Sequence, residues 1–227
     1  MTVEIRRSSD RFVDREPGRL TRHAFSFGQH YRPDWASFGP LVCHDDHLLG
    51  AGRGFDEHAH SGLEIVTTVL LGELDHRDSS GTAHTLGPGE VAVLSAASGV
   101  RHSELASPAG SARFVQVWLT PDTAEGEPGY ATTGVPDGSG LVPVLGAGAP
   151  LGIGVAGASY GVARLADGET LTLPAAPRLH VYVASGALLR FSLAEPLHDG
   201  DALLMTDEPA HEVTAGVPTQ LLVWSFA

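Results

Sequence analysis

The chain predicts an all-β protein built from two antiparallel barrels, and three observations predict it. Apolar and β-branched runs are short and recur throughout, and 28 glycines and 15 prolines punctuate them. No segment carries the apolar 3.6-residue period that a helix of three turns would need. The two halves also repeat one pattern. In the first, VTTVLLGEL precedes TLGPGEVAVLSA and then His102; in the second, HVYVASGALLRF precedes PLHDGDALLMTD and then His211. Setting Gly72 on Gly186 and Gly89 on Gly200 aligns strand, glycine turn, strand, acidic glycine turn and strand, which reads as two copies of one unit.

In the first half the expected strands are Leu63–Leu71, Glu90–Leu94 and Arg113–Leu119, each bounded by turn-formers such as Gly87-Pro88-Gly89 and Pro121-Asp122. In the second they are Thr170–Leu173, Leu179–Ala184, Ala187–Leu193, Ala202–Met205 and Thr219–Ser225. Many short strands with Gly-rich turns favour an antiparallel sandwich or barrel. Between Pro121 and Pro150 the chain turns Gly/Pro/Ala/Thr-rich and loses its alternation. The expected division is therefore an N-terminal domain over 1–121, a linker over 122–145 and a C-terminal domain over 146–227.

Composition narrows the function classes. A net charge of -13, with 14 scattered basic residues, argues against the phosphate contacts of nucleic-acid binding. Cys43 is the sole cysteine, which precludes an intrachain disulfide, fits a reducing cytoplasm and reads as a small buried hydrophobe. MTVEIRRSSDRF lacks the apolar core of a signal peptide, and no run approaches the roughly 18 apolar residues of a membrane span. A cytoplasmic protein without membrane or nucleic-acid partners is expected.

Twelve histidines make spacing the next question. His58-Ala59-His60 puts two imidazoles on one face of a strand, because strand side chains alternate with period two. His102-Ser103-Glu104 repeats that geometry with an imidazole and a carboxylate. Two such pairs on neighbouring strands offer three nitrogens and one oxygen, a set that suits a first-row divalent ion with open positions. Glu64 lies four residues from His60 and competes with Glu104 as ligand, or serves beside the ligands. His76 reads as a hairpin surface residue. Asp45-Asp46-His47 reads as structural, since adjacent strand residues point to opposite faces, and Ser61 and Ser103 lack triad partners. In the second half Thr172 and Pro174 fall where His58 and His60 stand, and Glu212 directly follows His211, so that copy is expected to lack a metal site.

GFDEHAHSGLEIVTTVLLGELDHRDSSG (Gly54–Gly81) followed by LGPGEVAVLSAASGVRHSE (Leu86–Glu104) resembles the pirin family of bicupins. FSFGQHYRPDWASFGPLVCHDDHLLGAGRGF is similar to its bacterial quercetinase-type members. The resemblance covers residues 1–125 and continues more loosely to the C-terminus. It implies two jelly-roll-like cupin barrels packed together, with one metal ion in the first held by His58, His60, His102 and Glu104. By resemblance, then, Glu104 prevails over Glu64, although the generic cupin pattern would use Glu64, which stays as a minority ligand or a substrate-side base.

The resemblance further implies Fe(II), while the donor set also accepts nickel, cobalt, manganese or zinc. The activity implied is quercetin 2,3-dioxygenase: a flavonol-like substrate reacts with O₂, and Glu104 or Glu64 takes the hydroxyl proton. Phe55, Phe114 and Trp118 are the candidate aromatic walls for such a flat ligand. The alternative is a metal- or redox-responsive regulator that binds a protein partner without catalysis.

Overall fold

The computed structural model describes residues 1–227. It is all-β, with helical turns confined to Ser8–Asp10 and Pro33–Trp35. No helix is long and apolar enough to cross a membrane. The chain forms two compact units, one of Phe12–Gly134 with Ile153–Val155, the other of Met1–Arg11, Val135–Gly152 and Ala156–Ala227.

After β1 (Thr2–Arg6), the first unit takes β2 (Phe12–Glu16), β3 (Arg19–His23), β4 (Leu41–Leu49), β5 (Gly54–His60), β6 (Glu64–Leu71) and β7 (Leu74–Asp78). It continues with β8 (Ala83–Leu86), β9 (Glu90–Ser95), β10 (Val100–Ala106), β11 (Ala112–Leu119) and β12 (Gly129–Gly134). A seven-stranded antiparallel sheet runs β12-β9-β6-β11-β4-β3-β2, and a four-stranded one runs β5-β10-β7-β8. The layers enclose a core in which Leu49, Val69, Ala92 and Phe114 from the large sheet meet Leu74, Leu86 and Ala106 from the small one. The expected barrel is thus cupin-like but open, as two separate ladders.

The second unit holds β13 (Leu141–Leu145), β14 (Ser159–Leu165), β15 (Thr170–Leu173), β16 (Ala176–Ser185) and β17 (Ala187–Leu188). β18 (Leu197–His198), β19 (Ala202–Glu208), β20 (His211–Thr214) and β21 (Thr219–Phe226) complete it. Its main sheet runs β1-β19-β16-β21-β14-β13, beside the pairs β15-β20 and β17-β18. The repeat is visible at its turns. Gly72 and Gly186 have φ of +71° and +87°, and a Cβ on either would overlap the carbonyl oxygen of Ser111 or Pro218, just before β11 or β21.

Three boundaries differ from the sequence expectation. Residues 1–11 group with the second unit, because β1 pairs with β19 and adds Val3 and Ile5 to that unit's core. The expected linker 122–145 contains β12 and β13, each the outermost strand of its sheet. Edge strands need less apolar sequence, and Pro143 in β13 is tolerated there since one side of the strand has no ladder to feed. The run Ala187–Leu193 pairs only over Ala187–Leu188 before the chain turns at Phe191–Ala194.

Candidate metal centre and its cavity

β5 and β10 pair antiparallel, which sets His58 opposite His102 and His60 opposite Val100. The His58 and His102 ring centroids lie 4.5 Å apart, those of His58 and His60 4.8 Å, and those of His60 and His102 5.0 Å. Ligating atoms of the three rings all come within 4.8 Å of one another, as do those of His76, His102 and Glu104. A bulge between His102 and Glu104 shifts the register, so that Glu104 faces Phe55 on β5 and His76 on β7. His102 therefore belongs to both groups.

The protonation states suit ligation. His58 Nδ1 donates to the Asp56 carbonyl at 2.8 Å, which leaves Nε2 as the ring nitrogen available to a ligand. Burial, then the neighbouring imidazoles, push the His60 pKa down to about 4. Burial and then His58 and His76 push His102 down to about 3. Both rings are neutral near pH 7. His60 Nε2 and both His102 nitrogens are buried without a hydrogen-bond partner. Buried polar atoms are rarely left so, and a divalent cation is a partner all three rings can share. The residues present fit such an ion.

Glu104, 4% exposed, accepts hydrogen bonds from Gln116 Nε2 at 2.7 Å and Thr67 Oγ1 at 3.4 Å. Gln116 Oε1 in turn accepts from Trp118 Nε1 at 2.9 Å, and Trp118 meets His60 edge-on at 4.8 Å. Phe114, Gln116 and Trp118 alternate along β11 opposite Val69, Thr67 and Ile65 of β6, so one face of the large sheet braces the carboxylate.

Glu64 is placed elsewhere. The chain turns at Gly62 between β5 and β6, so Glu64 does not continue the strand of His60. It lies in the opposite register to Thr67 on β6, where its carboxylate accepts from Ser95 Oγ at 2.8 Å and from the Gly154 backbone. Burial raises its pKa against those two bonds. It faces away from the imidazoles, and the ligand-or-base role expected for it has no geometric support.

His76 corrects the hairpin-surface expectation. It is 2% exposed, stacks on Tyr130 at 4.1 Å, bonds Asp78 through Nε2 at 3.1 Å and lies 5.5 Å from His102. Burial opposes ionisation of Asp78, but hydrogen bonds from Ser80, His76 and the local backbone hold its carboxyl below the usual range. Cys43 is buried, and burial and then Asp45 push its thiol well above the ordinary value, so it stays protonated.

A cavity of about 330 Å³ opens beside His58, His60 and Glu104. Phe27, Phe55 and Trp118 line it, whereas Phe114 is fully buried in the core and does not. Its other wall was not foreseen. Thr21 and His23 on β3 face His47 and Asp45 on β4, giving His47 Nδ1–Thr21 Oγ1 at 2.9 Å and His23 Nδ1–Asp45 Oδ2 at 2.8 Å. The period-two rule that set adjacent residues on opposite faces also puts Asp45 and His47 on one face, and that signal was in the sequence. Asp46 alone turns away, to Arg113.

The pirin family model matches residues 5–119. A Mycobacterium tuberculosis protein, provisionally named a quercetin 2,3-dioxygenase, is 40% identical over 99% of this chain and 95% of its own length. The quercetin 2,3-dioxygenase of Escherichia coli is 38% identical over 44% of each chain. The crystal structure of the E. coli bacterial pirin YhhW in complex with nickel(II) superposes with a TM-score of 0.90 at 26% identity, covering 99% of both chains. Taken with the paired His58/His60 and His102/Glu104 strands, these likenesses show that the chain belongs to the pirin family.

Proposed function

We propose that this protein is a metal-dependent dioxygenase that opens quercetin-like flavonols with O₂. The observation that carries this reading is the cluster of His58, His60 and His102, with unpartnered buried nitrogens on His60 and His102, beside an aromatic-lined cavity that His58 and His60 line. The names of the mycobacterial and E. coli relatives support it. His58, His60, His102 and Glu104 would hold the ion. We propose Fe(II); the nickel of the YhhW complex fits the same donor set, and cobalt, manganese and zinc remain compatible with it. When bound, such an ion supplies a Lewis acid for a ligand hydroxyl and an electron path to O₂.

The rest falls to the chain's own residues. Trp118, Phe55 and Phe27 orient a flat ring and exclude water. Gln116 fixes one Glu104 oxygen at 2.7 Å, and the weaker 3.4 Å bond from Thr67 leaves Oε1 the atom suited to take the substrate's hydroxyl proton. The test is O₂ uptake and CO release with quercetin, comparing metal-loaded protein with a His58→Ala/His60→Ala variant. Turnover lost in the variant supports the proposal; equal turnover in both sinks it.

A further inference from the structure

The core-facing side of the small sheet carries a third pair, which the proposed ligand set leaves unused. His76-Arg77-Asp78 on β7 repeats the spacing of His58-Ala59-His60 on β5 and His102-Ser103-Glu104 on β10. In register, His76 stands opposite Glu104 and Asp78 opposite His102. Period-two alternation turns all three pairs to one face. The side chains of His76 and Asp78 are each 1% exposed, and neither lines the cavity.

Asp78 is anchored on one oxygen and meets His76 with the other. Its Oδ1 accepts from the backbone N–H groups of Ser80, at 2.9 Å, and Thr82, at 3.1 Å, and from Ser80 Oγ. Its Oδ2 accepts from His76 Nε2 at 3.1 Å, and Tyr130 stacks on the His76 ring at 4.1 Å. A carboxylate on Nε2 fixes the ring's proton there and leaves the lone pair on Nδ1. Ring plane and tautomer are both set.

His102 needs what this ring offers. A neutral imidazole has one lone pair and one N–H, and an ion takes only the lone pair. Both His102 nitrogens are buried and neither has a hydrogen-bond partner, so its N–H has no acceptor. The His58 and His60 rings, at 4.5 and 5.0 Å, belong to the ion, which leaves His76 at 5.5 Å. Ligating atoms of His76 and His102 lie within 4.8 Å of each other, and His102, held by no side-chain hydrogen bond, is the ring free to turn.

We propose that His76 is a positioning residue of the metal centre: its Nδ1 accepts the His102 N–H, and Asp78 holds it in the tautomer that can. The chain Asp78–His76–His102 then aims the third imidazole at the ion. This rests on the metal site proposed above and not on which substrate the cavity takes.

The experiment uses zinc, a diamagnetic ion that the donor set accepts, and reads the histidine nitrogens by NMR on isotope-labelled protein. In the zinc-loaded wild type, His76 should carry its proton on Nε2, and its Nδ1 should show a coupling to the His102 N–H across the hydrogen bond. In Asp78→Asn, Ser80 and Thr82 keep the amide oxygen, so the amide nitrogen donates to Nε2 and the His76 proton moves to Nδ1. Zinc affinity, read by competitive chelator titration, should then fall about 10- to 100-fold. A wild-type His76 with its proton on Nδ1, bound to zinc itself or uncoupled from His102 overturns the proposal. So does Asp78→Asn binding zinc within about threefold of the wild type. If Asp78→Asn does not fold, the wild-type spectrum decides alone. A wild type that binds none of the compatible divalent ions removes the metal site itself, and this inference with it.

Discussion

Gln116 is not among the residues that would hold the ion, yet its 2.7 Å bond to Glu104 sets where that carboxylate points. Gln116→Ala should weaken metal affinity about 10- to 100-fold, as loss of a ligand's support does, and a competitive chelator titration checks it. Protonation is the second consequence at this scale. His60 and His102 have folded-state pKa values of about 4 and about 3, below the ordinary 6.5. Their neutral rings therefore contribute stability to the metal-free protein above pH ~6.5 that is lost as pH falls toward 4 and then 3. Its urea midpoint should fall between pH 7 and 4.5; a rise would contradict the assignment. The histidine spacing was legible because period-two alternation is local. His23, Asp14 and Phe27 were not, because they reach the cavity only through the pairing of β2 with β3 and of β3 with β4 and through the loop after β3.

Strand pairing places the site, and one residue controls it. A Cβ on Gly54 would overlap the Glu104 carbonyl and approach the Leu105 Cα to 2.9 Å, both backbone atoms of β10. Gly54→Ala should push β5 away from β10, carrying His58 away from His102. We expect a stability loss of about 1–3 kcal/mol together with weakened metal binding, read by urea melts and metal analysis. A strain confined to the turn would cost stability and leave metal affinity intact. Central strands such as β6 and β11 showed plainly in the sequence, since both faces of each are largely buried. β12 and β13 did not, since an edge strand of Gly-Tyr-Ala-Thr-Thr-Gly composition carries little apolar signal. The same limit hid the partnership of β1 with β19, a pairing across nearly the whole chain.

At the scale of the whole molecule, one fold pattern occurs twice and its imidazole cluster once: the first unit holds His58, His60 and His102, while β15 carries threonine and leucine at Thr170–Leu173. Metal binding to the folded chain alone adds stability by mass action, about 2.7 kcal/mol at a hundredfold excess over Kd. Stripping the ion with a chelator should therefore lower Tm by roughly 5–10 °C for a chain of this size, and restoring it should reverse the shift. Scanning calorimetry checks this; an unchanged Tm counts against a metal held by the native state. The three tryptophans are divided in a useful way. Trp118 stands 4.8 Å from His60, Trp35 packs against Phe12 and Arg32, and Trp224 stacks on Tyr160 in the other unit. The protein thus carries its own optical gauge: a paramagnetic ion at the imidazoles should quench Trp118 emission selectively, and a Trp118→Phe chain should keep its remaining fluorescence almost unchanged as the ion is added.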